Sequence, residues 1–201
     1  MDKERQEIIL NDVKELFNQG KYQECVSLIK NTLLQQGIHI KLLTYLGASY
    51  ANLKNYGLAM AAFTQYLYYV PNNVEIITNL AAVFYDLGDL HFAEEYLNKA
   101  LQLNPDFPLL NKNLALFYFE MGDIPKALHY YHLAVKLMDT DSAHLGLSHA
   151  LLCANHFTEG WREYEYRVST LEYNSSFTFP FPRWQGEDLN NKTLCIYTEQ
   201  G

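Results

Sequence analysis

Two groups of residues in this chain have types and spacing that could support metal chemistry. His129 and His132 lie three residues apart, which would place both imidazoles on one side of a helix, within reach of one ion. Asp139 and Asp141, in the segment "DTD", have the spacing of a metal-binding acidic pair. No third ligand stands near the histidines, and no nucleotide-binding pattern surrounds the aspartates. We therefore expect no metal site: the histidines are predicted to lie on the surface, and "DTD" to end one helix and cap the next.

The short patterns that mark common catalytic sites are also missing from the sequence. There is no glycine-rich phosphate loop, no nucleophile elbow and no paired-cysteine motif. The cysteines Cys25, Cys153 and Cys195 are odd in number and far apart, which favours free thiols in a reducing compartment. We expect no cofactor and no catalytic residue in this chain, and a cytoplasmic location.

The composition limits the class of partner. Of the 201 residues, 49% are hydrophobic and 19% are charged, as in ordinary folded proteins. The net charge of −8 argues against binding to nucleic acid or to anionic lipid, because both require a basic surface. The start, "MDKERQEIIL", lacks the apolar region of a signal peptide, and no run approaches the roughly 18 apolar residues of a membrane helix.

Residues of matching size recur every 34 positions along the chain. The recurring residues are the glycines Gly20, Gly88 and Gly122, with Lys54 at the missing point; the small residues Cys25, Ala59, Ala93 and Ala127; and the large residues Ile29, Phe63, Leu97 and Tyr131. A fifth copy follows after a slip of one residue, with Asn155 in the glycine position, Gly160 in the small position and Tyr164 in the large position. The slip predicts one shortened loop near "DTDS".

This pattern is typical of two helices packed antiparallel. Small residues let the two backbones approach, and large residues fill the space beside them. The glycine ends the first helix in a left-handed turn, and Pro71 and Pro105 stop the second helix before the next pair. Because one pair cannot bury its apolar face alone, the pairs are expected to stack into a solenoid.

These residues resemble the tetratricopeptide repeat family, most clearly in "VEIITNLAAVFYDLGDLHFAEEYLNKALQLNPDF". The resemblance implies an all-α fold, a right-handed solenoid of about five helix pairs over residues 6–172. The repeats are predicted near 6–39, 40–73, 74–107, 108–140 and 141–172. Repeat one departs from the pattern at Asp12, repeat two at Lys54 and repeat four at Asp139. The family resemblance implies a scaffold that binds a protein or peptide.

The sixth position of each repeat is expected to face the concave side of the solenoid. It holds Asn11, Tyr45, Asn79, Asn113 and Gly146. In the family, asparagines at this position can hold the backbone of an extended peptide, because an amide both donates and accepts hydrogen bonds. Packing between helices is the alternative reason for an asparagine here. The partner-binding residues predicted on this face are Asn11, Lys14, Tyr45, Asn79, Tyr85, Lys112, Asn113, Phe119 and His149.

The last 30 residues differ from the repeats in composition and pattern. Segment 173–191 carries alternating aromatic residues and prolines, and "KTLCIYTEQG" at 192–201 predicts one short strand and a turn. In one interpretation the aromatic residues Phe177, Phe179, Phe181 and Trp184 cap the last repeat. That interpretation treats the chain as a free-standing adaptor.

In the other interpretation a second domain begins here. "EGWREYEYR" and "FPFPRWQGEDLNNKTLCIYTEQG" resemble the junction between repeats and a glycosyltransferase-like domain in bacterial proteins. The resemblance implies that this chain is the N-terminal recruiting region of such a protein, and that residues 192–201 form the first strand of the transferase domain. Sugar transfer would belong to the complete protein. The chain is expected to be a monomer or a weak dimer formed through the tail.

Overall fold

Ten helices make up the part of the chain that the structure describes. The structure is a computed structural model that describes residues 3–37 and 39–167, together with the single residues 184, 188, 190 and 193. The helices are α1 (Lys3–Asn18), α2 (Tyr22–Gln36), α3 (Ile40–Asn52), α4 (Tyr56–Tyr69), α5 (Val74–Asp86), α6 (Leu90–Leu103), α7 (Pro108–Glu120), α8 (Ile124–Leu137), α9 (Asp141–Cys153) and α10 (Phe157–Tyr164). They form five consecutive pairs and so confirm the predicted all-α solenoid.

The turn inside each pair is left-handed, as the 34-residue spacing predicts. Gly20, Gly88 and Gly122 have φ angles of 71°, 78° and 76°. Lys54 and Asn155 adopt the same conformation without being glycine, with φ angles of 59° and 62°. The turn geometry at this position is therefore set by the helix pair as a whole. The residue type determines only how much free energy the left-handed conformation costs.

The hydrogen bonds of the turn are the same in regular and degenerate repeats. The amide of Gly88 donates to the Tyr85 carbonyl at 2.9 Å, and the next amide, of Asp89, donates to the Phe84 carbonyl at 2.9 Å. In repeat two the amide of Lys54 makes the equivalent bond at 2.9 Å. Asp89 then caps α6, because its carboxylate accepts from the Phe92 amide.

Three of the four loops between pairs follow the proline and slip predictions. Residues 70–73 and 104–107 join α4 to α5 and α6 to α7, so each of these loops has four residues and contains a proline. Residues 138–140 join α8 to α9, which makes this loop one residue shorter. The shorter loop agrees with the slip of one residue in the fifth copy.

Close packing inside the pairs requires a small residue opposite a large one. A Cβ placed on Gly47 would lie 2.6 Å from Cδ1 of Phe63, which is shorter than real carbon contacts. Successive core clusters then join each repeat to the next: one contains Val13, Ile29 and Leu43, and the following one contains Phe63 and Leu80. The apolar core is therefore continuous along the stack, as a solenoid requires.

Contacts between helices show which side of the stack is the inner one. The first helices of successive pairs contact each other, α1 with α3, α3 with α5, α5 with α7 and α7 with α9. No two second helices reach comparable contact in the part of the chain that is described. Helices lie closer together on the inner side of a curved stack, so α1, α3, α5, α7 and α9 form the concave surface. We call this surface the inner groove.

Of two predictions about the C-terminal third of the chain, one is wrong and the other lies mostly outside the described residues. Thr140 is the residue before α9, but its side chain makes no capping bond, and Asp139 is bonded to His144 instead. The prediction that "DTD" caps this helix is therefore wrong in its chemistry. Of the predicted cap, Trp184 is described and is 46% exposed. Phe177, Phe179 and Phe181, the terminal strand and most of the tail lie outside the described residues.

Candidate binding groove

Two half-buried asparagines lie in register on neighbouring helices of the inner groove. Asn79 is on α5 and Asn113 is on α7, at the same position of their repeats. Neither side-chain amide forms a hydrogen bond with any residue that the structure describes. Their donors and acceptors are therefore available to a ligand that lies across the two helices.

The neighbouring Asn111 has a structural role in the fold. Asn111, also on α7, is fully buried. Its Nδ2 donates to the carbonyl of Pro105 at 2.8 Å and to that of Phe107 at 3.0 Å. These bonds tie the loop between repeats three and four to α7. The contrast between Asn111 and Asn113, two residues apart, separates an asparagine that stabilises the fold from one that faces the groove.

A pocket of about 70 Å³ opens between α5 and α7, with Asn113 in its lining. Its lining consists of Ala81, Ala82, Tyr85, Asp86, Leu97, Asn113, Leu116 and Phe117. Two predicted partner-binding residues, Tyr85 and Asn113, therefore meet in one pocket. Cofactor pockets have volumes of roughly 300 Å³ or more, so the size fits a single side chain of a partner.

The charged residue in the lining of this pocket, Asp86, is acidic. Burial raises the pKa of Asp86, and the positive charge of Lys54 works in the opposite direction. Burial also raises the pKa of Tyr85, with a further contribution from the negative charges of Glu120 and Asp86. Burial and the neighbouring Tyr85 and Glu120 raise the pKa of Tyr131 to about 12. The tyrosines thus stay protonated at neutral pH and can donate hydrogen bonds.

Comparisons with known proteins agree with the fold of five helix pairs. The model of the tetratricopeptide repeat family matches residues 74–107, which contain α5 and α6. Residues 74–107 thus match the tetratricopeptide repeat, and the five helix pairs have the fold of solved tetratricopeptide repeat proteins. A thermophilic TPR protein of Thermus thermophilus has a TM-score of 0.73 at 19% identity, over 84% of this chain and 92% of that one.

Other matches place the same fold in proteins of different size. A chain of the APC/C hetero-tetramer Cut9–Hcn1 has a TM-score of 0.75 at 16% identity, over 80% of this chain and 32% of that one. Among curated sequences, Protein FlbA of Caulobacter vibrioides is 46% identical over 52 residues. That segment is 25% of this chain and 9% of FlbA, so the chain corresponds to a small part of the curated relative it matches.

The other residues predicted in the groove are spread over the five repeats. Asn11 and Lys14 are exposed on α1. Tyr45 packs edge-on against Phe17, with 5.6 Å between ring centroids, and Phe119 packs against the core cluster around Tyr131. These two aromatic side chains therefore contribute to the core.

Two predicted polar residues lie towards the fifth repeat. Lys112 Nζ donates to Ser142 Oγ at 3.5 Å, which links α7 to α9. His149 is exposed on α9, with its ring 6.0 Å from that of Tyr164. The structure brings Tyr85 and Asn113 together in the pocket and leaves Lys112 and His149 further along the groove.

The asparagine series ends at the fifth helix pair for a steric reason. Gly146 occupies the position of Asn113 in that repeat. A Cβ on Gly146 would lie 2.7 Å from Cζ and 2.9 Å from Oη of Tyr131. The phenol of Tyr131 thus fills the space that an asparagine side chain would need.

A buried cluster around His144 was not found by sequence reasoning. The Nε2 of His144 is bonded to Asp139 Oδ1 at 2.7 Å, and its Nδ1 is bonded to the Glu163 carboxylate. The ring stacks on Tyr166 with 3.8 Å between centroids. Burial disfavours the charged imidazole, but the bonds to Glu163 and Asp139 outweigh burial and raise the pKa of His144. Spacings of 5 and 19 residues match no known motif, so no sequence signal marked this cluster.

The residues first considered for metal chemistry are not assembled into a site. His129 and His132 are exposed on α8, as predicted. Within the described residues no group of three or more histidine, cysteine, aspartate or glutamate side chains could hold a metal ion. Cys25 is buried and Cys153 is exposed, both as free thiols, whereas Cys195 lies outside the described residues. Among the helices described, none is long and apolar enough to cross a membrane.

Proposed function

We propose that this chain is a protein-interaction scaffold that holds an extended peptide along the inner groove. Asn79 and Asn113 bind the peptide backbone, and Asn11 extends the series to the first repeat. The side chains that flank the peptide are Lys14, Tyr45, Tyr85, Lys112, Phe119 and His149. Tetratricopeptide repeat proteins generally act as protein-interaction scaffolds, and the fold matches theirs.

The observation that carries this proposal is the unbonded state of the two half-buried amides. An asparagine that serves helix packing is expected to form hydrogen bonds with the protein, as Asn111 does. Asn79 and Asn113 form none with the described residues, although they are partly removed from solvent. A peptide unit can pair with each amide whatever its side chain, so the two residues would bind backbone and leave sequence preference to the pockets beside them.

We further propose that the scaffold spans residues 6–172 and recruits partners for a glycosyltransferase-like domain. The support is the resemblance of "EGWREYEYR" and the following aromatic–proline segment to the junction in such proteins. The match to a small part of the much longer FlbA is compatible with a repeat region inside a larger protein. Reading the gene beyond the codon for Gly201 tests this. A frame that continues into a transferase domain supports it, whereas a stop codon supports the free-standing adaptor.

A double substitution tests peptide binding. Asn79→Ala with Asn113→Ala removes both amides from the groove, and we expect peptide binding measured by calorimetry to weaken at least tenfold, since each lost hydrogen bond contributes about 1 kcal/mol. The matched control is Asn31→Ala with Asn98→Ala, which changes two exposed asparagines on second helices. Unchanged affinity in the groove variant at unchanged helicity contradicts the proposal.

A further inference from the structure

The pocket between α5 and α7 has an apolar floor and an acidic edge. Ala81, Ala82 and Leu116 line the floor, and Asp86 lies on the lining at the end of α5. We propose that this pocket binds a lysine or arginine side chain of the extended peptide. The apolar stem of that side chain would lie on the floor, and its cationic end would face the carboxylates. This inference rests on the proposed function, because the peptide backbone must first lie in the groove.

The carboxylates sit where a helix favours positive charge. Asp86 is the last residue of α5, and Glu120 is the last residue of α7. The C-terminal end of a helix already carries partial negative charge, so basic residues are normally favoured there. Neither α5 nor α7 has a basic residue in its last turn. Two helix ends and two carboxylates therefore combine into one negative edge, which a cation from a partner would stabilise.

The two carboxylates belong to the same edge of the groove because of the repeat. Asp86 and Glu120 are 34 residues apart and hold the same position in repeats three and four. Tyr85 and Asp86 both line the pocket, and Glu120 ends α7, the other helix of the pocket. The negative charges of Glu120 and Asp86 also raise the pKa of Tyr85. The corresponding positions of repeats two and five hold Asn52 and Cys153, so the acidic edge is confined to the two helices that form the pocket.

Aromatic residues in the pocket lining complete a cation-binding environment. Tyr85 precedes Asp86 and lines the pocket with it, and Phe117 of α7 belongs to the same lining. Ring faces attract lysine and arginine cations when the rings lie within about 6 Å. A small apolar cavity with aromatic and carboxylate groups at its edge favours a long basic side chain over an acidic or a short one.

Among the residues that the structure describes, no basic side chain forms an ion pair with Asp86 or Glu120. Lys54 is exposed, and its charge acts on Asp86, but the two residues form no ion pair. Lys112 is bonded to Ser142 on α9. The pocket therefore carries a negative charge that these nearby lysines leave unpaired, and charge complementarity identifies the partner as a basic peptide.

Selection from a peptide library tests the preference. The whole chain is immobilised and exposed to a random library of nonapeptides with acetylated and amidated ends, so that no terminal charge competes. We expect the selected peptides to share a lysine or arginine at one position. The best peptide is then resynthesised with norleucine there, which keeps the stem and removes the charge. We expect the norleucine form to bind roughly three- to tenfold more weakly, as is typical of a few partly exposed ion pairs.

The decisive variant is Asp86→Asn with Glu120→Gln. This variant should bind the basic and norleucine peptides equally. Its stability should stay the same or rise, because the substitutions remove two negative charges from the C-terminal ends of helices, where negative charge is unfavourable. The control, Glu94→Gln with Glu95→Gln, makes the same change in net charge on the exposed face of α6 and should keep the preference of the native chain.

The outcomes distinguish this inference from the function on which it rests. If peptides are selected without a shared basic position, or if the preference persists in Asp86→Asn with Glu120→Gln, the cation pocket is wrong and the peptide scaffold stands. If the control loses the preference equally, the effect is general electrostatics and the inference fails. If the native chain selects no peptide, the proposed function fails and the pocket with it.

Discussion

The Nδ1 atom of His144 on α9 is hydrogen bonded with the carboxylate of Glu163 on α10. The other ring nitrogen is bonded to Asp139, which belongs to the loop before α9. When the ring is protonated, both nitrogens donate, one to each carboxylate. His144 therefore joins the loop, the first helix and the second helix of the fifth repeat.

The stability of this repeat should depend on pH through His144. The folded-state pKa is raised above the ordinary value of about 6.5, so the stabilisation is fully present below that value and is lost as the pH rises through the folded pKa. We expect the free energy of unfolding to fall with rising pH above neutrality, and this dependence to be weaker in His144→Gln. His129→Gln, an exposed histidine, is the control. Parallel pH profiles for the native chain and His144→Gln in urea unfolding would refute this role.

Gly146 should tolerate no side chain while Tyr131 is present. Because a Cβ there would lie 2.7 Å from Cζ of the phenol, Gly146→Ala is expected to destabilise the chain by about 1–3 kcal/mol. Adding Tyr131→Leu makes room, so the double variant should lose less stability than the sum of the two single changes. Thermal and urea unfolding measure this coupling. Strict additivity would mean that the two residues do not compete for space.

Lys54→Gly should stabilise the protein. Lys54 has a φ angle of 59°, a conformation that costs an ordinary residue roughly 1 kcal/mol and costs glycine almost nothing. We expect a gain of about 0.5–1 kcal/mol in urea unfolding. Lys21, which has a φ angle of −81°, provides the matched control, since Lys21→Gly gains nothing from relieved strain and should be neutral or destabilising. A loss of stability in Lys54→Gly would contradict the argument.

Truncation of the two asparagines of α7 should change the stability of the protein by very different amounts. Asn111→Ala leaves the carbonyls of Pro105 and Phe107 without their side-chain donor, and we expect a loss of about 2 kcal/mol. Asn113→Ala breaks no bond to a described residue and should change stability by less than about 0.5 kcal/mol. Unfolding in urea gives both values. Equal losses would show that Asn113 also has a structural role.

The inner groove was only partly predictable from the sequence. The 34-residue spacing correctly put Asn79 and Asn113 on equivalent places of consecutive first helices, because helical position follows from local periodicity. The same logic did not show that Tyr85 and Asn113 line one pocket, which depends on the distance and angle between α5 and α7. The sequence also predicted Tyr45 and Phe119 as groove residues, but it did not predict that both side chains pack against the core.

What the sequence by itself determined is the series of helix pairs, since helix ends and turns depend on neighbouring residues. The left-handed turns at Gly88 and even at Lys54 follow from their place in the repeat. Only the tertiary structure decided how the pairs combine their side chains. The contact of His144 with Glu163 spans 19 residues, and the close approach of Tyr131 to Gly146 lies between repeats. Such contacts depend on how one helix packs against another, and spacing along the chain does not specify that packing.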